Sequence, residues 1–442
     1  MTGLTGAFRY LSRRASRKAH IDAAFSKAAP ACGVTGVQWY TRRIGYRGEQ
    51  QSFLLGRWGS LTVTFHAQAT RGIVVIGGPS SVLADVSMRL ERTVASVYSR
   101  LSPEIEVGDP DFDDAVYVEG PAPLLRAILG EPTRGLLLRL LRGRVTELAR
   151  HPLHVQIIVL HGQVNAELSP HEPGGPWTAL PEALGLVLDT ARHFVLPQDL
   201  PVRLARNASH DSLDAVRAAN LSTLAQEYPD ADLTRATVRA ACDDPSDEVR
   251  LQAAVALGPE GRRIVLAIAT REDAAEEHAA RAVETLGVDL PADTCASLLA
   301  RALRAGQTSL ALACVASLGR GGAPESVKIL ADVLASTHDN LGAAAARALA
   351  KTGRPEAEGP LLTALGDAAE AVRVAAAGAL GEVGTAAAVL PLREMAEGEG
   401  GEVRRAARTA VAQIQARVTG ASPGQLSLSA GPAGHISLSE DE

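Results

Sequence analysis

Four segments in the second half of the chain share one pattern of apolar and charged positions. They read DAVRAANLSTL at 214–224, DEVRLQAAVAL at 247–257, EAVRVAAAGAL at 370–380 and GEVRRAARTAV at 401–411. In each segment a Val-Arg pair is followed by small residues and, seven positions after the arginine, by an apolar residue. Apolar residues three or four positions apart line one face of an α-helix, so each segment is predicted to be a helix with one buried face.

The spacing of these segments predicts a structural repeat. Three weaker copies end near Val283, Val315 and Leu349, and successive copies are then about 26 to 34 residues apart. That period corresponds to one helix pair per repeat, and a single pair cannot bury its own apolar face. We therefore expect about six to seven stacked helix pairs over residues 205–418. Glycines at the predicted helix ends suit the left-handed conformation of a helix C-terminus, namely Gly258, Gly287, Gly319, Gly353 and Gly384.

The sequence DPSDEVRLQAAVALG at 244–258 resembles HEAT repeats, especially the short bacterial kind that also occurs in phycobilisome-lyase-like proteins. The segment EAVRVAAAGALGEVG at 370–384 resembles them equally well. The resemblance implies an all-α superhelical solenoid of the ARM/HEAT type. The three central copies depart from it, because Ala275-Glu276, Gln307-Thr308 and Leu341-Gly342 stand where Val-Arg is expected. We expect the stack to be less regular there, either bending or carrying a ligand surface.

The repeated arginines have two interpretations. They could form a basic ladder for an acidic partner, or each could bond an Asp or Glu of its own or the next repeat. In similar repeats the Asp and Arg at these positions form a structural ladder between repeats, which here implicates Arg217, Arg250, Arg373, Arg404, Asp214 and Asp247. Cys242, Cys295 and Cys314 are predicted to be small core residues on the alanine-rich helices.

The first half of the chain has a mixed pattern that predicts an α+β domain over residues 49–200. Predicted strands lie at 60–67, where apolar and polar residues alternate, at 71–78, at 114–120 and in a hairpin at 155–168 that turns at His161-Gly162. Predicted helices lie at 82–100, 123–150 and 180–195. Residues 1–48 are interpreted as a basic N-terminal segment and the start of this domain.

A turn motif stands out at 106–120, EVGDPDFDDAVYVEG. It resembles an uncharacterised bacterial domain in which a Gly-Asp-x-x-Phe-Asp turn precedes a strand. The resemblance covers about residues 50–200. It implies a related fold and no particular activity. We expect Asp109 and Asp113 to cap a turn that begins at Gly108, with Phe112 anchored in the core. Calcium binding by these closely spaced carboxylates is the alternative. Phe112 and the lack of a suitable glycine disfavour it, because a calcium loop follows a D-x-D-x-D-G progression.

Composition narrows the function classes. The formal net charge of the chain is -6, with residues 1–210 at +5 and residues 211–418 at -8. Four cysteines lie far apart, so neither a disulfide framework nor a zinc cluster is indicated. No apolar run approaches the roughly 20 residues of a membrane span, and no secretory signal follows the basic N-terminus, so a cytoplasmic location is expected.

Both ends of the chain have features that suggest binding to other molecules. Residues 1–20 contain five basic and no acidic side chains, which would suit an anionic membrane or an acidic partner, or simply a frayed terminus. Residues 419–442 are rich in Gly, Ser, Ala and Pro and are predicted to form a disordered acidic tail. They repeat GQLSLS at 424–429 and GHISLS at 434–439, so the alternative hypothesis is a strand added to another protein's sheet.

No catalytic constellation appears in the sequence. His151 and His154 are separated by Pro152 and have no neighbouring glutamate, so they do not match a zinc protease. No nucleophile elbow, P-loop or dinucleotide-binding motif occurs in a suitable context. We therefore predict a non-enzymatic scaffold or adaptor that binds protein on its solenoid surface and needs no metal or cofactor. The alternatives are a subunit of bilin-lyase type and a nucleic-acid-associated protein that uses the basic N-terminus.

Overall fold

The computed structural model of the chain describes most of its 442 residues. The described residues are 18–44, 49–68, 71–78, 87–89, 105–141, 153–160, 163–170, 176–195, 199–336, 340–367, 369–417, 426–428 and 436–438.

An eight-stranded antiparallel sheet forms the first part of the fold. Its strands are β1 Thr35–Ile44, β2 Glu49–Trp58, β3 Leu61–Gln68, β4 Arg71–Gly77, β5 Ser87–Arg89, β6 Tyr117–Glu119, β7 Leu153–Leu160 and β8 Gln163–Pro170. Their order is β1-β2-β3-β4-β8-β7-β5-β6. Alternate residues of β3 and β4 are buried, as expected for strands that bury one face.

Helices cover the apolar face of this sheet. They are α1 at 18–31, α2 Pro110–Asp113, α3 Ala122–Ile128, α4 Glu131–Leu141 and α5 Leu180–Val195. The rings of Phe25 on α1 and Phe65 on β3 stack with centroids 3.3 Å apart, and both side chains are buried. The core of this α+β domain therefore lies between the sheet and the helices packed on it.

Several sequence predictions for this domain are confirmed: strands at 60–67 and 71–78, a hairpin of β7 and β8, and the helix at 180–195. The predicted helix at 123–150 is instead two helices, α3 and α4, because the helix is interrupted at Leu129 and Gly130. Within the predicted helix 82–100, residues 87–89 form a strand that pairs with β6 and β7. The rest of that helix, His161-Gly162 and residues 142–152 lie outside the described residues.

The remaining helices belong to the repeat region. They are α6 Leu200–His210, α7 Asp214–Glu227, α8 Asp232–Ala241, α9 Asp247–Leu257, α10 Arg262–Thr270, α11 Glu276–Leu286, α12 Ala292–Ala305, α13 Thr308–Gly321, α14 Pro324–Ser336, α15 Asn340–Lys351, α16 Glu358–Ala364, α17 Glu370–Val383, α18 Val389–Gly398 and α19 Gly401–Arg417. Among the described residues, no helix is long and apolar enough to cross a membrane.

The chain divides into two units, Met1–Ala256 and Leu257–Glu442. The first unit contains the α+β domain and the first helices of the repeat region. In the second unit, successive helix pairs stack in two layers: layer A consists of α10, α12, α14, α16 and α18, and layer B of α11, α13, α15, α17 and α19. Each layer B helix packs on its layer A partner, and α11, α13, α15 and α17 each also pack on the next layer B helix. The predicted fold class, an α+β domain followed by ARM/HEAT-type helical repeats, is confirmed.

Two glycines allow the helices of layer B to approach closely. A Cβ atom on Gly319 of α13 would lie 2.8 Å from the carbonyl oxygen and 2.9 Å from the Cα of Ala348 on α15. A Cβ atom on Gly381 of α17 would lie 3.0 Å from the Cα of Ala410 on α19. Gly319 and Gly381 occupy equivalent positions two repeats apart, so the same close contact recurs along the stack.

Two short strands lie within the predicted tail at 419–442. Leu426–Leu428 forms β9 and Ile436–Leu438 forms β10, and the two strands pair with each other in antiparallel register. The repeated apolar-Ser-apolar triplet accounts for this pairing, because it supplies the same alternating strand pattern twice.

Candidate interaction surface

The turn motif is built around two carboxylates. Asp113 accepts hydrogen bonds from the backbone N–H groups of Val107, Gly108 and Asp109 at 3.0, 2.9 and 3.1 Å. Asp109 accepts from the N–H of Phe112 at 3.2 Å, at the N-terminus of α2. The Phe112 side chain is fully buried. The oxygens of the motif thus bind backbone donors, as residues that cap a turn do.

The same turn holds a buried arginine that sequence reasoning missed. The Arg134 guanidinium on α4 donates to Asp109 at 2.7 Å and, through both terminal nitrogens, to Asp211 at 2.9 Å and 2.9 Å. It also donates to the carbonyl oxygen of Leu129 at 2.9 Å. The Arg134 and Asp211 side chains are 2% and 1% exposed, so this is a desolvated, bidentate ion pair.

Electrostatics in this cluster favour the charged arginine. Burial opposes the positive charge of Arg134, but hydrogen bonds to Asp211 and Asp109 and their negative charges outweigh that effect. The pKa of Arg134 is therefore raised above its ordinary value. A charge buried this deeply is stable only while its partners remain, because an unpaired ion in the interior carries the full desolvation cost.

Arg217 repeats this arrangement one helix pair further along the chain. Its Nε and Nη2 donate to the two carboxylate oxygens of Asp244 at 2.9 and 2.8 Å. Its Nη1 donates to the carbonyl oxygen of Asp211 at 2.9 Å. Arg250 in turn donates to the carbonyl oxygen of Asp244 at 2.6 Å. Hydrogen bonding to Asp244 raises the pKa of Arg217.

Asp211 and Asp244 form the same kind of turn. The Asp211 carboxylate accepts from the N–H of Leu213 at 3.2 Å, and that of Asp244 accepts from the N–H of Ser246 at 2.8 Å. We call the series Asp109, Arg134, Asp211, Arg217, Asp244 and Arg250 the Asp–Arg ladder. In it, Arg134 of the α+β domain makes a bidentate contact with Asp211 through Nη1 and Nη2, and Arg217 makes one with Asp244 through Nε and Nη2. The α+β domain thus supplies the arginine that a preceding repeat would supply.

Further polar contacts join α3 of the α+β domain to α6 and α7. The Asn207 side chain on α6 donates to the carbonyl oxygens of Arg126 and Ala127 at 2.9 and 3.2 Å. Arg126 donates to the Thr223 hydroxyl on α7 at 2.7 Å. These contacts satisfy carbonyl groups at the end of α3, where no intrahelical donor remains.

The other residues of the predicted ladder have different partners. Asp214 accepts from the hydroxyl of Ser246 at 2.8 Å, and Asp247 pairs with Arg250 of its own helix. Arg373 donates to the carbonyl oxygen of Asp367 at 2.8 Å, and Arg404 donates to that of Ala396 at 3.2 Å. The sequence does contain a signal that we missed: an aspartate stands six residues before the arginine at Asp211/Arg217, Asp244/Arg250 and Asp367/Arg373.

The cysteines lie within the helix packing. Cys295 and Cys314 are buried on α12 and α13, and the Cys295 thiol donates to the Cys314 carbonyl oxygen at 3.3 Å. Cys242 is half-buried, and its thiol donates to the carbonyl oxygen of Val238 at 3.4 Å. Burial raises the pKa of Cys242. Among the described residues, no group of three or more His, Cys, Asp or Glu side chains is placed to hold a metal ion.

One side of layer B is open and follows a regular pattern. On α13, α15 and α17, exposed or half-buried residues recur every three or four positions, and on α15 all the remaining residues are buried. We call these positions the layer B face: Ser309, Leu312, Ala316 and Arg320 on α13, Asn340, Ala344, Arg347 and Lys351 on α15, and Ala371, Val374, Gly378 and Glu382 on α17. Five of these twelve residues are alanine, glycine or valine, and Leu312 is half-buried. The middle of the face is therefore a shallow floor of mostly small side chains, with charged residues toward one end.

A groove also lies in layer A, between α10 and α12, with a volume of about 600 Å³. Its lining includes Arg301, whose guanidinium donates to the carbonyl oxygens of Ala269, Thr270 and Arg271 at 3.0 to 3.2 Å. Arg301 therefore caps the C-terminus of α10, where the carbonyl groups of the helix lack intrahelical donors. The arrangement accounts for Arg301 as a structural residue.

Comparison with known protein families supports the repeat architecture. A family model described as HEAT repeats matches residues 335–412, which include α15 to α18 and most of α19. A crystal structure of an engineered protein, a structural-genomics target, is similar over 53% of this chain and 71% of its own, with 21% identity and a TM-score of 0.33. A search of curated proteins found no match. The chain is thus similar to HEAT-repeat proteins in part of its second unit, and such repeats are consistent with a protein-interaction scaffold.

Proposed function

We propose that this protein is a non-enzymatic scaffold or adaptor that binds another protein on the layer B face. The observation that carries the proposal is the exposed row on α15, where Asn340, Ala344, Arg347 and Lys351 remain accessible while the rest of the helix is buried. Helical repeats use continuous surfaces of stacked helices to bind proteins. The HEAT-repeat match over residues 335–412 supports the same surface, since it includes α15 and α17.

The small residues of the face support docking of a polypeptide. Ala316, Ala344 and Gly378 occupy its centre, and a Cβ atom on Gly378 would meet no atom within 4 Å. Small side chains let the backbone or side chains of a partner approach the helices closely. A large residue at Gly378 would fill this floor without disturbing the packing beneath it.

A matched pair of substitutions tests the proposal. Gly378→Trp places an indole on layer B, whereas Gly359→Trp places one on α16 of layer A, where a Cβ atom also meets nothing within 4 Å. Full-length wild-type, G378W and G359W proteins would be used to capture proteins from lysate of the source cells, followed by mass spectrometry. We expect partners retained by the wild-type and G359W proteins to be lost with G378W. An identical set of partners for all three proteins would contradict the use of layer B.

A further inference from the structure

Three exposed cations lie on two neighbouring helices of the layer B face. Arg347 and Lys351 are four residues apart on α15, one turn from each other on the same side of the helix. Arg320 lies at the end of α13, next to Gly319, whose backbone is in close contact with Ala348. Arg320 and Lys351 are 31 residues apart and occupy equivalent positions on two helices that cross closely at Gly319.

This cluster is unusual in its setting. Residues 211–418 have a net charge of -8, yet residues 301–354 contain seven Lys and Arg against three Asp and Glu. Two of those arginines are used inside the protein, since Arg301 and Arg354 donate to backbone carbonyl groups at helix ends. Arg320, Arg347 and Lys351 instead project from the surface, whereas residues 211–418 as a whole are acidic.

Acidic positions lie on either side of the cluster. Position 351 recurs 31 residues later as Glu382 on α17, and α11, which precedes α13 in layer B, exposes Glu277, Arg281 and Glu284. Glutamates thus flank a positive cluster that lies at the ends of two neighbouring helices. A patch of this extent fits a short segment of opposite charge, whereas a long polyanion would meet repulsion from the acidic positions on both sides.

We propose that the partner presents an acidic peptide segment to Arg320, Arg347 and Lys351, with its backbone against the floor of small side chains on the layer B face. The inference rests on the proposed scaffold function and specifies the chemistry of the partner. Charge complementarity selects the segment and orients it, while Ala316 and Ala344 permit close approach. Since the cations are exposed, binding of this segment weakens as salt screens their charge.

A synthetic peptide tests this chemistry on the full-length protein. The probe is a fluorescein-labelled 14-residue peptide containing six glutamates, and the matched probe carries glutamine at those six positions. Fluorescence anisotropy is measured at low and at physiological salt. We expect the glutamate peptide to bind at least tenfold more tightly than the glutamine peptide, and the difference to shrink as salt increases. Equal binding of the two peptides, or no binding of either, would overturn the proposal.

Charge-reversal variants locate the contact. Arg347→Glu/Lys351→Glu is expected to weaken glutamate-peptide binding at least tenfold. Arg263→Glu/Arg393→Glu makes the same change of charge at exposed sites of layer A and is expected to leave binding within twofold. Equal effects of the two double variants would mean that only net charge matters and would overturn the assignment to layer B.

Two further outcomes separate this inference from alternatives. A labelled 20-nucleotide single strand of DNA that binds more tightly than the peptide, and is lost in the same double variant, would make nucleic acid the occupant and overturn the acidic-peptide proposal. If the peptide fails to bind while G378W still abolishes capture of cellular partners, the acidic chemistry is wrong and the scaffold function stands.

Discussion

The Arg134 guanidinium bonds both carboxylate oxygens of Asp211 at 2.9 Å, and the two side chains are almost completely buried. One residue belongs to the α+β domain, and the other precedes the first Val-Arg helix of the repeat region. Arg217 and Asp244 also make a bidentate contact in the next helix pair, there through Nε and Nη2. The α+β domain therefore completes the Asp–Arg ladder of the repeats and covers their N-terminal end, which repeat arrays otherwise protect with a capping unit.

Removing the Arg134 side chain charge should destabilise the first unit severely. In Arg134→Met, Asp109 and Asp211 lose a shared cation, and Asp211 is left as a buried carboxylate. The expected loss in free energy of unfolding is about 3–5 kcal/mol. Urea unfolding followed by circular dichroism measures it. Arg139→Met on the exposed side of the same helix is the control, with an expected change within about 0.5 kcal/mol. A loss below about 1 kcal/mol for R134M would refute the importance of this pair.

The Arg217–Asp244 contact should show strong coupling. Its side chains are about one-tenth exposed, and its bidentate geometry is favourable. A double-mutant cycle with Arg217→Ala and Asp244→Ala is expected to give an interaction free energy of about 1–3 kcal/mol. The matched cycle on Arg235 and Asp232, a single contact at 2.6 Å between exposed side chains, should give less than about 0.5 kcal/mol. Similar values for the two cycles would argue against a buried ladder.

Gly319 should tolerate no larger side chain. In Gly319→Ala the new Cβ atom would lie within 3 Å of Ala348 backbone atoms, so α13 and α15 must separate. We expect a loss of about 1–3 kcal/mol in the free energy of unfolding. Gly378→Ala on α17, where the Cβ atom is unobstructed, should instead stabilise the protein by about 0.5–1 kcal/mol because alanine favours a helix. Thermal unfolding of both variants gives the comparison, and stabilisation by both would show that the close crossing is not required.

His193 should make the protein less stable in mildly acidic solution. Burial, together with the positive charge of Arg203, lowers the pKa of His193, whose Nδ1 lies 3.0 Å from the Thr133 hydroxyl. A histidine whose pKa is lowered in the folded state binds protons more readily when unfolded. Its contribution to stability is therefore fully present above the ordinary value near 6.5 and is lost as the pH falls from there through the folded-state pKa.

The variant His193→Asn retains a polar group near the Thr133 hydroxyl and removes the titration. Urea unfolding of wild-type and variant proteins at pH 7.5 and at pH about 5 should show a smaller pH-dependent loss for H193N. His66, whose pKa burial also lowers, titrates in both proteins and so cancels in the comparison. An unchanged difference between the two pH values would exclude His193 as a contributor.

The sequence by itself determined the repeat architecture and much of the α+β domain. Helical periodicity, the recurrent Val-Arg pair and alternating strands such as residues 60–67 are local patterns, and local patterns decide which face of an element is buried. The helix at 180–195 and the hairpin of β7 and β8 follow from the same rule. These features required no knowledge of distant contacts.

Only the tertiary structure decided which residues meet. Arg134 lies 77 residues before Asp211, and nothing in the local pattern of α4 distinguishes it from Arg139 until the fold buries one and exposes the other. The cluster of Arg320, Arg347 and Lys351 likewise depends on how closely α13 and α15 cross at Gly319. Burial and ion pairing depend on the packing of whole elements, whereas periodicity depends only on neighbours along the chain.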